Sequence, residues 1–213
     1  MTTERLRPST AKMLLDMTPE AVRYALDHPS PPSRAMEFGT AVDRETFALT
    51  WTPSATAREA DVIRAAITAR KLIDRVGEKT GALRYMAQHT REWDSDGVAC
   101  RGTPDLVYTA SDGSLVIADL KTCASARADN IEQTLYRHKY DLQLAAYCTA
   151  FRANTDRAYI IWVESREPFL GRISTVPADV LHGGRQKWHR AREIWRKCVT
   201  EEYWPGYEDF SHT

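Results

Sequence analysis

The 213-residue sequence has no apolar run near the roughly 18 residues that a membrane span requires. Its opening stretch, Met1 to Thr10, lacks the apolar segment of a secretory signal. A cytoplasmic protein with no membrane association is therefore expected. The four cysteines, Cys100, Cys123, Cys148 and Cys198, are isolated from one another. None has the close pairing of a zinc knuckle or ribbon, which leaves ordinary thiols in a reducing compartment. No charge of one sign dominates, since 29 basic residues balance 29 acidic ones. Nucleic-acid binding usually leaves a basic excess, but carboxylates that hold cations count as negative until the cations arrive. Composition thus neither supports nor excludes DNA. Internal repeats, low-complexity tracts and long linkers are also missing. The only glycine pair, in His182-Gly183-Gly184-Arg185, is too short for a nucleotide-phosphate loop, so no ATP-driven motor is expected.

What is present is ordinary for a globular chain: 43% hydrophobic and 27% charged residues, enough for one layer-packed domain over 1–213. The first half reads as helical. Ser9–Asp16 and Pro19–Asp27 form two short helices, the second with Thr18 as N-cap before Pro19. After the break at His28 to Ser33 a third helix covers Arg34–Thr50. A fourth runs from Thr56 to Val76, with Thr56 and Glu59 at capping-box spacing and Gly77 as its end. Its apolar positions, among them Val62, Ala66, Ala69, Ile73 and Val76, form one face suited to packing. Beyond Gly81 the texture changes to three antiparallel strands, Gln88–Asp94, Val98–Thr109 and Ser114–Leu120, parted by two Asp/Ser/Gly turns. A long helix over Asn130–Arg152, strands Arg157–Ser165 and Phe169–Thr175, and a helix from Pro177 to Tyr203 complete an α/β or α+β order.

Two segments carry chemistry, Gly102-Thr103-Pro104-Asp105 and Ile117-Ala118-Asp119-Leu120-Lys121. Strand alternation puts Asp119 and Lys121 on one face with Leu120 opposite, and an antiparallel neighbour brings Asp105 beside them. Mg²⁺ takes one or two carboxylates and keeps several waters. An ion held there polarises a phosphodiester and acidifies a bound water, with Lys121 orienting that water or stabilising transition-state charge. The ordinary alternative is an Asp-x-Lys triplet on a solvated strand edge. Downstream, Gln143 and Tyr147 share a helix face and can hydrogen-bond phosphate oxygens without reading sequence.

Gly102-x-Pro104-Asp105, Asp119-Leu120-Lys121-Thr122 and Gln143-x-x-x-Tyr147, in this order, resemble the PD-(D/E)XK nuclease superfamily. The Gln-x-x-x-Tyr helix points to its RecB-like branch, and within that to exonuclease VIII (RecE-type) nuclease domains of phage and prophage recombination systems. Phe38 to Val42, Val163 to Phe169 and Trp204 to Tyr207 agree with that family, so the resemblance spans about residues 9–210. It implies a restriction-endonuclease-like core, a mixed β-sheet flanked by helices with a helical N-terminal region. It also implies metal-dependent digestion of double-stranded DNA from its ends, usually 5′ to 3′. By matching positions, Asp105 and Asp119 are metal ligands, the carbonyl of Leu120 completes the coordination, and Lys121 is the catalytic lysine. Gln143, Tyr147 and Thr122 contact DNA. Relatives add an upstream acid, for which Glu92 is the candidate here. Where the family places a metal-ligating histidine this chain has Asp43, either an oxygen ligand favouring Mg²⁺, with Mn²⁺ as the other candidate, or a plain helix-surface residue. None of the six histidines is assigned to metal. The late cysteines of the iron–sulfur branch are missing apart from Cys198, so no cluster is expected.

From Arg185 to Lys197 six basic residues stand against Glu193 alone. They either grip duplex phosphates or form the solvated side of a packed helix; their spread around the helix favours the second. The resemblance implies a ring-like homo-oligomer and a single-strand annealing protein as partner. A structure-specific endonuclease with the same site, or a catalytically degenerate DNA-binding protein, are the competing readings.

Overall fold

The helix and strand periods of the sequence resolve into seven helices and seven strands in a computed structural model describing residues 4–49 and 58–210. Along the chain come α1 (Pro8–Leu14), α2 (Pro19–Asp27), α3 (Arg34–Thr46) and α4 (Glu59–Thr80). Then follow β1 (Ala82–Ala87), β2 (Arg91–Ser95), β3 (Val98–Gly102), β4 (Leu106–Ala110) and β5 (Leu115–Cys123). Last are α5 (Ala128–Arg137), α6 (Tyr140–Phe151), β6 (Arg157–Glu164), β7 (Gly171–Pro177) and α7 (Ala178–Glu201).

Five strands form a mixed sheet in the order β1-β4-β5-β6-β7, in which only β5 and β6 run parallel. A parallel pair needs a crossover, and α5 and α6 provide it across one face. Both faces of the central strands are buried. Leu106 and Tyr108 of β4, with Val116, Ala118 and Leu120 of β5, pack against Val62, Ala69, Leu72 and Ile73 of α4. Val107 and Ile117 point the other way, onto Leu144, Tyr147, Cys148 and Phe151 of α6 and Leu181 of α7. This is the restriction-endonuclease-like α/β arrangement, a mixed sheet between helices. A third cluster joins α1 and α2 to the β2–β3 hairpin and α7 through Leu6, Leu14, Val22, Cys100, Trp188 and Trp195.

Several expected boundaries shift for identifiable reasons. The fourth helix passes through Gly77 and ends at Thr80, because Gly81 adopts the left-handed conformation (φ +61°) that terminates a helix and suits glycine. Thr56 of its expected capping box lies outside the described residues. The expected strand Val98–Thr109 is two strands in different sheets. Pro104 has no N–H to donate to a ladder, and the chain leaves the hairpin there to enter the main sheet. The expected helix Asn130–Arg152 is broken at Lys139, whose left-handed backbone (φ +49°) ends α5 and caps α6. Among the described residues no helix is long and apolar enough to cross a membrane.

Candidate active site

Asp105 stands one residue before β4, and the register pairs Leu106 with Ala118. Extending that pairing by one step sets Asp105 against Asp119. The Asp105 carboxylate accepts a hydrogen bond from the Leu120 amide (2.7 Å), so the side chain supplies an acceptor just beyond the end of the β4–β5 pairing. On the other edge of β5, parallel pairing with β6 holds Asp119 beside Ile160 and Lys121 beside Trp162. Strand alternation then brings Asp119 and Lys121 to one face. The Lys121 ammonium forms an ion pair with Asp119, lies 4.0 Å from Asp105 and donates to the Leu120 carbonyl at 3.2 Å. Asp119 is only 1% exposed; the ammonium is its partner at Oδ2, and no donor reaches Oδ1.

Asp43, on α3, joins this group through Gln88. The Gln88 amide nitrogen lies 3.1 and 3.2 Å from the two Asp43 oxygens and 3.0 Å from Asp105 Oδ1, bridging two carboxylates with one NH₂ group. Burial pushes the Asp105 carboxyl well above the usual range, and the neighbouring Asp119 adds to it. Burial likewise raises Asp43 to about 6, with Asp119 adding and Lys121 opposing. For Lys121, burial works against the charged form, but Asp119 and Asp105 more than reverse it and hold the ammonium above its ordinary range. These groups open into a cleft of about 780 Å³, whose walls include Asp43, Asp105, Leu120, Lys121, Thr122 and Tyr140. Thr122 sits close against Gly39 of α3, where a Cβ would come within 2.9 Å of its hydroxyl.

Helix α6 contributes Tyr140 to this cleft and Gln143 and Tyr147 to a second one beside Gly102. Gln143 donates to the Tyr147 hydroxyl at 3.1 Å, and burial raises that phenol above its normal range. Gly102 exists to admit this ring, since a Cβ there would lie 2.8 Å from Tyr147 Cε1. The amide oxygen of Gln143 accepts from Lys12 of α1 at 2.5 Å.

The family model described as a "PDDEXK-like domain of unknown function (DUF3799)" matches residues 52–211. The chain belongs to this PDDEXK-like family. Among solved structures it is similar to a candidate exonuclease from Eubacterium rectale, at 18% identity with a TM-score of 0.66, over 91% of this chain and 81% of that one. A phage-related exonuclease from Haemophilus somnus 129PT matches at 13% identity with a TM-score of 0.45, over 94% of this chain and 97% of that one. The first likeness bears on the fold. No curated protein matches the chain.

PDDEXK-like nucleases generally use divalent metals. Among the described residues no three His, Cys, Asp or Glu side chains stand together as a ready ligand set. The residues nevertheless fit a hard cation. Asp119 is buried with the Lys121 ammonium as its partner and Oδ1 left without a donor, and an all-oxygen set of carboxylates suits Mg²⁺ or Mn²⁺. Asp105, Asp119 and the Leu120 carbonyl would hold the ion, with Asp43 on the far side of the Gln88 amide.

Asp43 gives a test of this. A carboxyl raised to about 6 in the fold from an unfolded value near 3.9 favours folding below that unfolded value. The contribution is lost as pH rises through 6. Asp43→Asn should therefore stabilise the metal-free protein by about 1–3 kcal/mol at pH 8, with the gain fading towards pH 4. The same change should shrink the melting shift produced by Mg²⁺. A metal-free melting point that does not rise at pH 8 would identify Asp43 as an ordinary helix-surface residue.

Glu92 is not brought to this centre. It lies on the β2–β3 hairpin, ion-paired with Arg5 at 3.0 Å and Arg101 at 3.8 Å, and two arginines already satisfy its charge. The residues that sequence reasoning passed over are Gln88, Tyr140 and Lys12. The sequence pattern puts Gln88 at the start of a strand, whereas it precedes β2 with a left-handed backbone (φ +50°) that aims its side chain at the carboxylates. Of the basic residues on α7, Lys187 is paired with Asp141, Arg192 with Asp96 and Arg196 with Glu193, as expected of a packed helix.

Proposed function

We propose that the chain is a metal-dependent nuclease that hydrolyses phosphodiester bonds of linear double-stranded DNA from its ends, 5′ to 3′, in phage-type recombination. The observation that carries this reading is the buried Asp119 carboxylate, paired with Lys121 alone and with Oδ1 unpartnered, with Asp105 locked beside it by the Leu120 amide. A bound Mg²⁺, or Mn²⁺ in its place, supplies Lewis acidity towards the phosphoryl group. Lys121, held charged by its two carboxylates, stabilises the negative charge that grows on the phosphoryl oxygens as water attacks and the P–O bond breaks. Gln143 and Tyr147 hold the strand by its phosphates, which suits a substrate met without sequence preference. The exonuclease name of the Eubacterium rectale structure, and the RecE-type order of motifs, are consistent with end-dependent digestion.

With Mg²⁺ or Mn²⁺ and no ATP, the protein should release nucleotides from a linear duplex and leave a closed circular duplex intact. Labels at either end then give the polarity, with loss of the 5′ label first as the expected result. Efficient cutting of closed circles would replace this reading with a structure-specific endonuclease. Inertness with both metals would leave a DNA-binding protein with a degenerate site. A homo-oligomer, cytoplasmic residence and a single-strand annealing partner belong to the same proposal.

A further inference from the structure

Lys12 has no ion-pair partner among the described residues, although it lies within the field of two carboxylates. Asp119 and Asp141 act on it through space, and each is already ion-paired with another lysine, Lys121 and Lys187 respectively. Its ammonium donates to Gln143 and stands over the Tyr140 ring, 4.6 Å from the centroid; Lys121 lies 5.2 Å from the same ring. Burial, with Lys121 adding to it, lowers its pKa to about 7. An ammonium withdrawn from water without a counter-ion is costly to keep, and an anion arriving there would offset that cost.

The surroundings indicate which anion. Tyr140 lines the cleft that contains Asp105 and Lys121. Gln143 lines a second cleft, of about 270 Å³, together with Arg7, Arg101, Thr103 and Tyr147. Lys12 thus touches one residue of each cleft, both on the first turns of α6. Anionic groups repeated along a chain, as in a nucleic-acid strand, are what a cleft lined by Arg7 and Arg101 can engage beside a second cleft that contains the carboxylates and Lys121. Helix α1 precedes the segment matched by the family model, so this contact is an addition to the part of the chain that the model covers.

We infer that Lys12 binds a phosphate of the DNA strand adjacent to the position acted on by Asp105, Asp119 and Lys121, an inference that rests on the nuclease reading above. The phosphate belongs either to a strand terminus or to an internal linkage.

The test uses the full chain without divalent metal, so that binding is read in the absence of cleavage. Short labelled duplexes carry a 5′-phosphate, a 5′-hydroxyl, or one methylphosphonate at each of the first few linkages. Lys12→Met should weaken binding about 5- to 20-fold and reduce the salt slope by about one, while Lys12→Arg keeps the slope. One duplex position should matter to the wild type and be silent in Lys12→Met. If it is the 5′-phosphate the site reads ends, and if it is a linkage the site reads the internal backbone. Wild-type affinity in Lys12→Met overturns the proposal, as does an equal loss at every position with an unchanged slope, which is the mark of a structural role. Should Lys12→Met fail to fold, Lys12→Gln carries the same comparison. Cleavage of duplex without any Lys12 coupling removes this inference and leaves the nuclease reading. Coupling without cleavage does the reverse.

Discussion

Asp119→Asn and Lys121→Met are each expected to slow digestion of a linear duplex by a factor of about 10³ or more, with much smaller changes in KM. The two variants should part company in stability. Lys121 is the ion-pair partner of a carboxylate that is 1% exposed and has no other donor. Removing it leaves Asp119 uncompensated beside Asp105, and breaking such a pair costs about 3–5 kcal/mol. Lys121→Met should therefore melt well below wild type without metal and recover part of the loss on adding Mg²⁺. Asp119→Asn removes the buried charge itself and leaves Lys121 with Asp105 at 4.0 Å, so its metal-free melting point should stay near wild type and respond less to Mg²⁺. Nucleotide release and melting curves for both proteins, with and without Mg²⁺, check the whole pattern. A folded variant of either kind that retains full activity would place the chemistry elsewhere.

The positions of Asp105, Asp119 and Lys121 were legible because they depend on the shortest-range rule of a sheet, alternation along one strand beside an antiparallel neighbour. Thr18 as N-cap and Pro19–Asp27 as a helix were legible for a similar reason, since capping is decided within four residues. Glu92 misled because it also lies on a strand upstream of Asp105. Its strand pairs only with β3 in a separate two-stranded sheet, and that is decided by where the chain turns at Pro104. The edge strand β1 escaped notice because five of its six residues are exposed, leaving no alternation to read. Lys12 and Gln88 were hidden for a different reason. Each reaches the site across long sequence separations, 131 residues from Lys12 to Gln143 and 45 from Gln88 to Asp43. No local pattern encodes such meetings, because they depend on helix packing.

That packing makes a sharp prediction at two adjacent glycines, the pair whose spacing excluded a phosphate loop. Gly184 of α7 sits against the start of α6, and a Cβ there would lie 2.3 Å from the Asp141 carbonyl oxygen, 2.5 Å from its carbon and 3.0 Å from the Leu142 nitrogen. All three are backbone atoms, so no rotamer change relieves the contact and the helices must separate. Gly183, one residue earlier, would place a Cβ in open space. Alanine favours a helix interior over glycine by about 0.5–1 kcal/mol. Gly183→Ala should therefore raise the melting temperature by about 2 °C. Gly184→Ala should lower it by about 5–12 °C, because overpacking of about 2–4 kcal/mol outweighs the helix gain. The second change should also reach the site. Asp141 is the residue whose carboxylate pairs with Lys187 at 2.6 Å, and Gln143 and Tyr147 follow it on the same helix. Shifting that turn away from α7 moves the strand-holding wall while leaving Asp105, Asp119 and Lys121 on their sheet. Weaker DNA binding with a largely preserved response to Mg²⁺ is the expected signature. Equal melting temperatures for the two variants would show that α6 and α7 do not meet at Gly184.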